Sequence, residues 1–294
     1  MIWQSFCSNF GGKAIPRPMR NVISVDVEDY FHPSEVQASV GSGQWDSLPS
    51  RVVPSTRRAL ELLARHNTVG TFFILGWVAE RFPALVREIA SAGHEIGCHS
   101  YSHRLVYELT PAQFREDTRR AAERIADACG VWPRSYRAPS YSITRASWWA
   151  LDVLAGLGFT HDSSVYPIHH DRYGVPDFPR SAQLIDTPSG PILEVPVAAA
   201  RLSAGRVAPV GGGGYLRLLP YRYTAAGIRR LNEKERIPAC IYFHPWEIDP
   251  DQPRLANGLL ARLRTYAGLS GMEAKINRLL SDFDFAGIAS VHPA

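Results

Sequence analysis

His99 and His103 stand four residues apart in CHSYSH (98–103). On a helix that spacing puts two imidazoles on one face with Cβ atoms roughly 5–6 Å apart, close enough to share an ion. A polar turn would account for the pair equally well, so further ligands must decide. A hydrolytic metal site needs about three protein ligands and one open position, and SVDVEDYF (24–31) offers Asp26, Glu28 and Asp29. Strand alternation points Asp26 and Glu28 together and Asp29 away, unless the strand has already ended. One carboxylate would then bind metal and another stay free as general base, two environments dividing two roles. The bland alternative is a cap or a solvated turn.

His244 closes the apolar run IYFHPWE (241–247). Pro245 and Trp246 would fix and shield its ring, which suits a general acid near neutral pH; otherwise it is a satisfied core histidine. Arg137, ahead of APSY, could hold a carboxylate by bidentate pairing or make a structural salt bridge. Asp162 in HDSS (161–164) could fix the tautomer of a catalytic histidine or cap a turn. Trp246 is the candidate for lining a pocket beside His244, whereas Trp148 and Trp149 read as core and His169 and His170 as loop residues.

The elements that must position these side chains alternate along the chain. NVISVDV (21–27), VGTFFIL (69–75), HEIGCH (94–99), RSYRAP (134–139), FTHDSS (159–164), ILEVPV (192–197) and PACIYFH (238–244) read as strands. Amphipathic stretches at 54–67, 83–93 and 111–130 read as helices, as do TRASWWALDVLAGLG and TAAGIRRLNEKER. Repeated strand–helix–strand units predict an α/β fold with a mostly parallel sheet. In a parallel barrel the C-terminal strand ends converge on one face, and five of these strands end in carboxylate, histidine or arginine. Residues 1–20 read as an N-terminal extension and 21–294 as one domain. Pro-, Gly- and aromatic-rich stretches around 165–190 and 205–223 read as lid or loop insertions. GGGGY (211–215) is no phosphate loop, since no Lys-Ser/Thr follows it; it reads as a flexible turn or as a place where backbone comes close to a sugar.

The 294 residues are 45% hydrophobic and 20% charged with a net charge of +4, an ordinary globular composition. Basic residues form no block, which argues against a nucleic-acid partner. No apolar run reaches the ~18 residues of a membrane span, and the first twenty residues lack the layout of a secretion signal. The expected compartment is the cytoplasm, free or at a membrane periphery. Cys7, Cys98, Cys129 and Cys240 are too scattered for a disulfide framework.

In this order the motifs resemble those of the polysaccharide deacetylases, carbohydrate esterase family 4, with the NodB homology domain. SVDVED is similar to the Asp-bearing first motif, HSYSH to the metal-binding His-Ser-x-x-His, RAPSY to Arg-x-Pro, and HDSS and IYFHPWE to the fourth and fifth. The resemblance runs over roughly residues 20–247. HDRYGVPDFPR, GGGGYLRLLPY and the C-terminal region resemble a subgroup found near bacterial exopolysaccharide and protein-sorting gene clusters. The resemblance implies a distorted (β/α) barrel that removes acetyl groups from an N-acetylhexosamine-containing polysaccharide or its precursor. It implies one divalent ion, zinc first, with cobalt, nickel or iron as alternatives, bound by His99 and His103. Asp26 would be the general base positioned by Arg137, His244 the acid tuned by Asp162, and a backbone N–H near Tyr141 would help hold the oxyanion. Where the family has two adjacent aspartates, Val27 follows Asp26 here, so Glu28 and Asp29 both stand as third ligand. That departure keeps a cyclic imide or ureide amidohydrolase on the same barrel as an alternative; a non-catalytic carbohydrate-binding module is another. The expected partner is a glycan substrate; the oligomeric state is left open, with a homo-oligomer as one option.

Overall fold

The computed structural model describes residues 19–293 except 171, 203 and 204. Eleven strands occur among these residues. They are β1 (Asn21–Val27), β2 (Thr71–Ile74), β3 (Glu95–Cys98), β4 (Ser135–Tyr136), β5 (His161–Asp162), β6 (Gln183–Thr187), β7 (Gly190–Glu194), β8 (Ala199–Arg201), β9 (Val207–Pro209), β10 (Cys240–Phe243) and β11 (Phe285–Ala286). The helices are α1 (Ser34–Gln37), α2 (Val52–Ala64), α3 (Gly76–Arg81), α4 (Pro83–Ser91), α5 (Pro111–Cys129), α6 (Ala150–Gly156), α7 (Gly213–Leu218), α8 (Tyr221–Arg229), α9 (Leu259–Tyr266), α10 (Leu269–Asp282) and α11 (Ile288–Val291).

The main sheet runs β10-β1-β2-β3-β4-β5-β7-β6, with β11 also beside β1. Every pairing in it is parallel except the β6–β7 hairpin. All seven residues of β1 are buried, as befits a central parallel strand covered on both faces. Beyond β7 the backbone bridges the segment after β5 to β10: Val197 N–H donates to Val165 C=O (3.1 Å), and Ala198 N–H donates to Cys240 C=O of β10 (3.0 Å). Closure by single bonds instead of a full strand ladder gives a distorted (β/α) barrel.

The helices form for local reasons. Helix α5 opens on a capping box between Thr110 and Gln113 and ends at Gly130 in the left-handed region (φ 77°). Helix α2 buries Val52, Ala59, Leu60, Leu62 and Leu63. The two stretches expected as insertions are partly ordered: 183–194 forms the β6–β7 hairpin and 207–218 contains β9 and α7. GGGGY is not a loose turn. A Cβ at Gly212 (φ 56°) would collide with the Tyr242 ring, so glycine lets this backbone lie against β10 as α7 begins. The close approach is to Tyr242. The expected N-terminal extension lies, but for residues 19 and 20, outside the described residues.

Candidate active site

β1 ends in a three-residue turn in which Glu28 N–H donates to Asp26 C=O (2.9 Å). The Asp26 and Glu28 side chains both line one cavity of about 360 Å³. The HSYSH segment reaches it from the end of β3. It is not a helix: Ser100 and His103 have φ of 63° and 52°, and the segment is a loop folded back on itself. That turn, instead of helical spacing, brings the two imidazoles together.

Glu28 Oε1 lies 3.1 Å from His99 Nε2 and 3.0 Å from His103 Nε2. One ligand atom from each of the three lies within 4.8 Å of the others, and all three residues are buried. His99 Nδ1 sits 2.8 Å from the Arg137 carbonyl, which can only accept, so Nδ1 carries the proton and Nε2 turns a lone pair toward Glu28. A carboxylate oxygen and two imidazole nitrogens meeting at one buried point are a donor set that suits a divalent cation. Burial opposes ionisation of Glu28, but the neighbouring His103 and His244, with His99 beside them, hold its carboxyl well below the usual range. Gln37 on α1 braces the site, its Nε2 2.6 Å from the His32 carbonyl and 2.9 Å from His103 Nδ1.

Asp29 does not join this cluster. Its carboxylate accepts from Ser50 Oγ (2.5 Å) and from the N–H groups of Tyr30, Arg51 and Val52 (2.9–3.2 Å). It is tied to the exposed donors at the start of α2, where a helix favours negative charge.

Arg137 is fully buried and donates from Nη1 to Asp26 Oδ1 (2.7 Å) and Ser24 Oγ (2.7 Å). Its Nε and Nη2 are held by the Ser163 carbonyl (3.0 Å) and hydroxyl (2.9 Å). Asp26 Oδ2 is left 3.9 Å from His244 Nε2, and that nitrogen is 3.7 Å from Glu28 Oε1.

Behind His244 the structure departs from expectation. His244 Nδ1 is 3.0 Å from Glu247 Oε2, and Glu247 Oε1 accepts from Arg217 Nε at 3.0 Å. Both Glu247 and Arg217 are buried, and Arg217 is fixed further by the carbonyls of Ala267 (2.7 Å) and Arg264 (2.6 Å). Burial opposes the charged imidazole, but Glu28, Glu247 and Asp26 outweigh it and raise His244 to about 9. Asp162 is not its partner. Asp162 accepts from Ser164 Oγ (2.6 Å) and faces Glu194 across the β5–β7 register. Burial raises both carboxyls.

Tyr141 lines the cavity, but its N–H donates to Ala138 C=O (3.1 Å) within its own turn and is not free for an oxyanion. Its ring packs edge-on against Tyr242 (5.0 Å) and makes a wall of the cavity. Trp246 stacks on His244 at 5.1 Å and lines the same space. His170, read as a loop residue, also lines it and stacks on Tyr173 at 3.7 Å. Glu247, Arg217 and Gln37 escaped the sequence reading. Only Glu247 carried a local signal, three residues after His244 on a short 3₁₀ turn.

Residues 42–160 match the polysaccharide deacetylase family. The chain carries a polysaccharide deacetylase domain. The matched span holds His99, His103, Arg137 and Tyr141; Asp26 and Glu28 precede it. Residues 163–292, with His244 and Glu247, match a domain of unknown function (DUF3473). One sheet crosses from the deacetylase domain into this second segment, since β5 pairs with both β4 and β7. The chain is 31% identical over 120 residues to a peptidoglycan-N-acetylglucosamine deacetylase of Bacillus cereus, covering 37% of this chain and 44% of that protein. It is 34% identical over 126 residues to a chitooligosaccharide deacetylase of Bradyrhizobium sp., covering 41% and 54% respectively. The chain thus spans about half the length of these curated relatives. A solved structure from Mycobacterium smegmatis, assigned to the polysaccharide deacetylases, superposes with a TM-score of 0.59 at 19% identity over 94% of this chain and 90% of that one. At that identity the likeness speaks for the fold.

Proposed function

We propose that this protein is a divalent-metal-dependent hydrolase that removes acetyl groups from an N-acetylhexosamine-containing glycan or its precursor. The observation that carries the reading is one cavity in which Glu28, His99 and His103 converge with Asp26 and His244 directly beside them. Glu28, His99 and His103 would hold the ion, zinc first among candidates. When bound it would supply Lewis acidity toward the amide carbonyl. Asp26, held by the Arg137 guanidinium on Oδ1, takes the proton of the attacking water on Oδ2. His244, cationic and anchored through Nδ1 by Glu247, gives a proton from Nε2 to the leaving amine. Arg217 keeps Glu247 in place. Trp246 and Tyr141 wall the space an acetyl methyl would fill. The names of the curated relatives support the substrate class.

The test is elemental analysis of the purified chain, paired with acetate release from N-acetylglucosamine oligomers before and after chelation. One divalent ion per chain and chelator-sensitive release support the reading, with Asp26→Asn keeping the ion and losing turnover. Acetate release that survives complete chelation sinks the metal dependence. Turnover of a cyclic imide without metal and none of the oligomers moves the assignment to the imide hydrolases.

A further inference from the structure

Helix α9 turns Leu259, Leu260 and Leu263 to solvent, 76%, 63% and 51% exposed. At about 100° per residue the three share one stripe, with Arg262 on one flank and Arg264 on the other. Ala261 and Thr265 face the protein. This inverts the usual surface helix, whose apolar stripe faces the core. Singly scattered exposed leucines are ordinary; three on one helical stripe bordered by arginines have the composition of a helix that lies in a membrane interface.

The stripe's place in the fold matters as much as its composition. Arg264 and Thr265 line the cavity that holds His99, His103 and His244, and Leu218 of α7, 52% exposed, lines it beside them. Helix α9 also packs on α1, whose Ser34 and Glu35 border the same opening. The charge of the segments that carry α7 and α9 is one-sided. No aspartate or glutamate occurs between residues 252 and 272, a stretch that carries Arg254, Arg262 and Arg264, and none occurs between 195 and 232, which includes α7. Glu35, the acid at this opening, is paired with Arg172.

We propose that α9, with Leu218, seats the mouth of the cavity on an anionic lipid surface. The leucines enter the boundary between headgroups and acyl chains, and Arg262 and Arg264 lie along it with their guanidinium groups on lipid phosphates. A second copy of the chain fits this face worse, because an isologous contact would set arginine flanks against arginine flanks with no carboxylate between them. The docking is independent of the reaction. Its consequence, that the cavity meets a glycan anchored in that surface, rests on the deacetylase reading.

The experiment is co-sedimentation of the full chain with vesicles of phosphatidylcholine alone or mixed with phosphatidylglycerol, a readout that needs no catalysis. Binding is expected to the mixed vesicles and to weaken with salt. Leu260→Asp/Leu263→Asp should abolish it, and Arg262→Gln/Arg264→Gln should weaken it roughly tenfold or more. These side chains are exposed, so thermal melts of the variants should match the parent. In addition, L259W should shift its emission to the blue on the mixed vesicles. No sedimentation with either vesicle, or undiminished sedimentation of the leucine variant, overturns the proposal. So does a concentration-dependent dimer that Leu260→Asp dissolves, which would make this face an interface between copies.

Discussion

Glu28 and Asp29 are adjacent acids whose surroundings make them different chemical objects. Glu28 lies among imidazoles that lower its pKa, whereas Asp29 is buried against helix donors and its carboxyl is raised by that burial despite four hydrogen-bonding groups. Glu28→Gln should therefore strip most of the bound metal while leaving the fold intact. Asp29→Asn should keep the metal and cost about 1–2 kcal/mol of stability, as loss of a helix cap does. Metal content by mass spectrometry and urea unfolding of both variants check this; equal metal loss in the two would refute the assignment of ligands. The same contrast holds behind His244. Glu247 touches its ring and Asp162 does not, so Glu247→Gln should lower kcat for acetate release on the order of a hundredfold or more, by analogy with removing the orienting carboxylate of a catalytic histidine. Asp162→Asn should stay near the parent rate. The reverse order in a side-by-side assay would restore Asp162 to the role the motif resemblance gave it.

At the scale of elements, the β5–β7 edge brings two acids into register. Asp162 Oδ2 and Glu194 Oε2 are buried with no N–H or O–H donor among the described residues, so the pair is satisfied only if one carboxyl carries a proton. Folded-state pKa values raised above the ordinary range mean that, above that range, the unfolded chain binds fewer protons than the folded one, so stability falls as pH rises toward the folded value. Melting temperature should thus decline as pH rises above the ordinary carboxylate range. Glu194→Gln, which keeps the acceptor for Val165 N–H (3.0 Å) and supplies the missing donor, should flatten that slope. An unchanged slope in the variant would show that the pair holds no proton. Cross-strand register of this kind is invisible along the chain, which is why Asp162 was read by its neighbours in sequence and not by Glu194. What was legible lay within single strands. β1, β2 and β10 are buried along their length and so read as apolar runs, and Glu28 and His244 follow directly from the ends of β1 and β10. Helix α9 escaped because its leucines face outward, and α7 because glycines fitted to Tyr242 look like a loop when Tyr242 is not in view.

For the molecule as a whole, the barrel gathers residues from positions 26 to 247 on one point, and the proposed metal binding there would be linked to global stability. Glu28, His99 and His103 come from two strand ends and are buried together, an arrangement the unfolded chain cannot reproduce. A ligand that binds only the folded state stabilises it in proportion to the logarithm of its concentration over Kd, about 4 kcal/mol at a thousandfold excess. For a chain of this length that corresponds to several degrees in melting temperature. Zinc added to chelator-treated protein should therefore raise the melting temperature by several degrees, and renewed chelation should reverse the shift. His99→Ala and Glu28→Gln should abolish it, because two remaining ligands hold an ion weakly, while His244→Ala should retain it, because His244 faces the site without being one of its ligands. A zinc shift of equal size in all three variants would mean that the ion binds elsewhere on the surface. The buried cluster would then be a network of hydrogen bonds with no metal to hold.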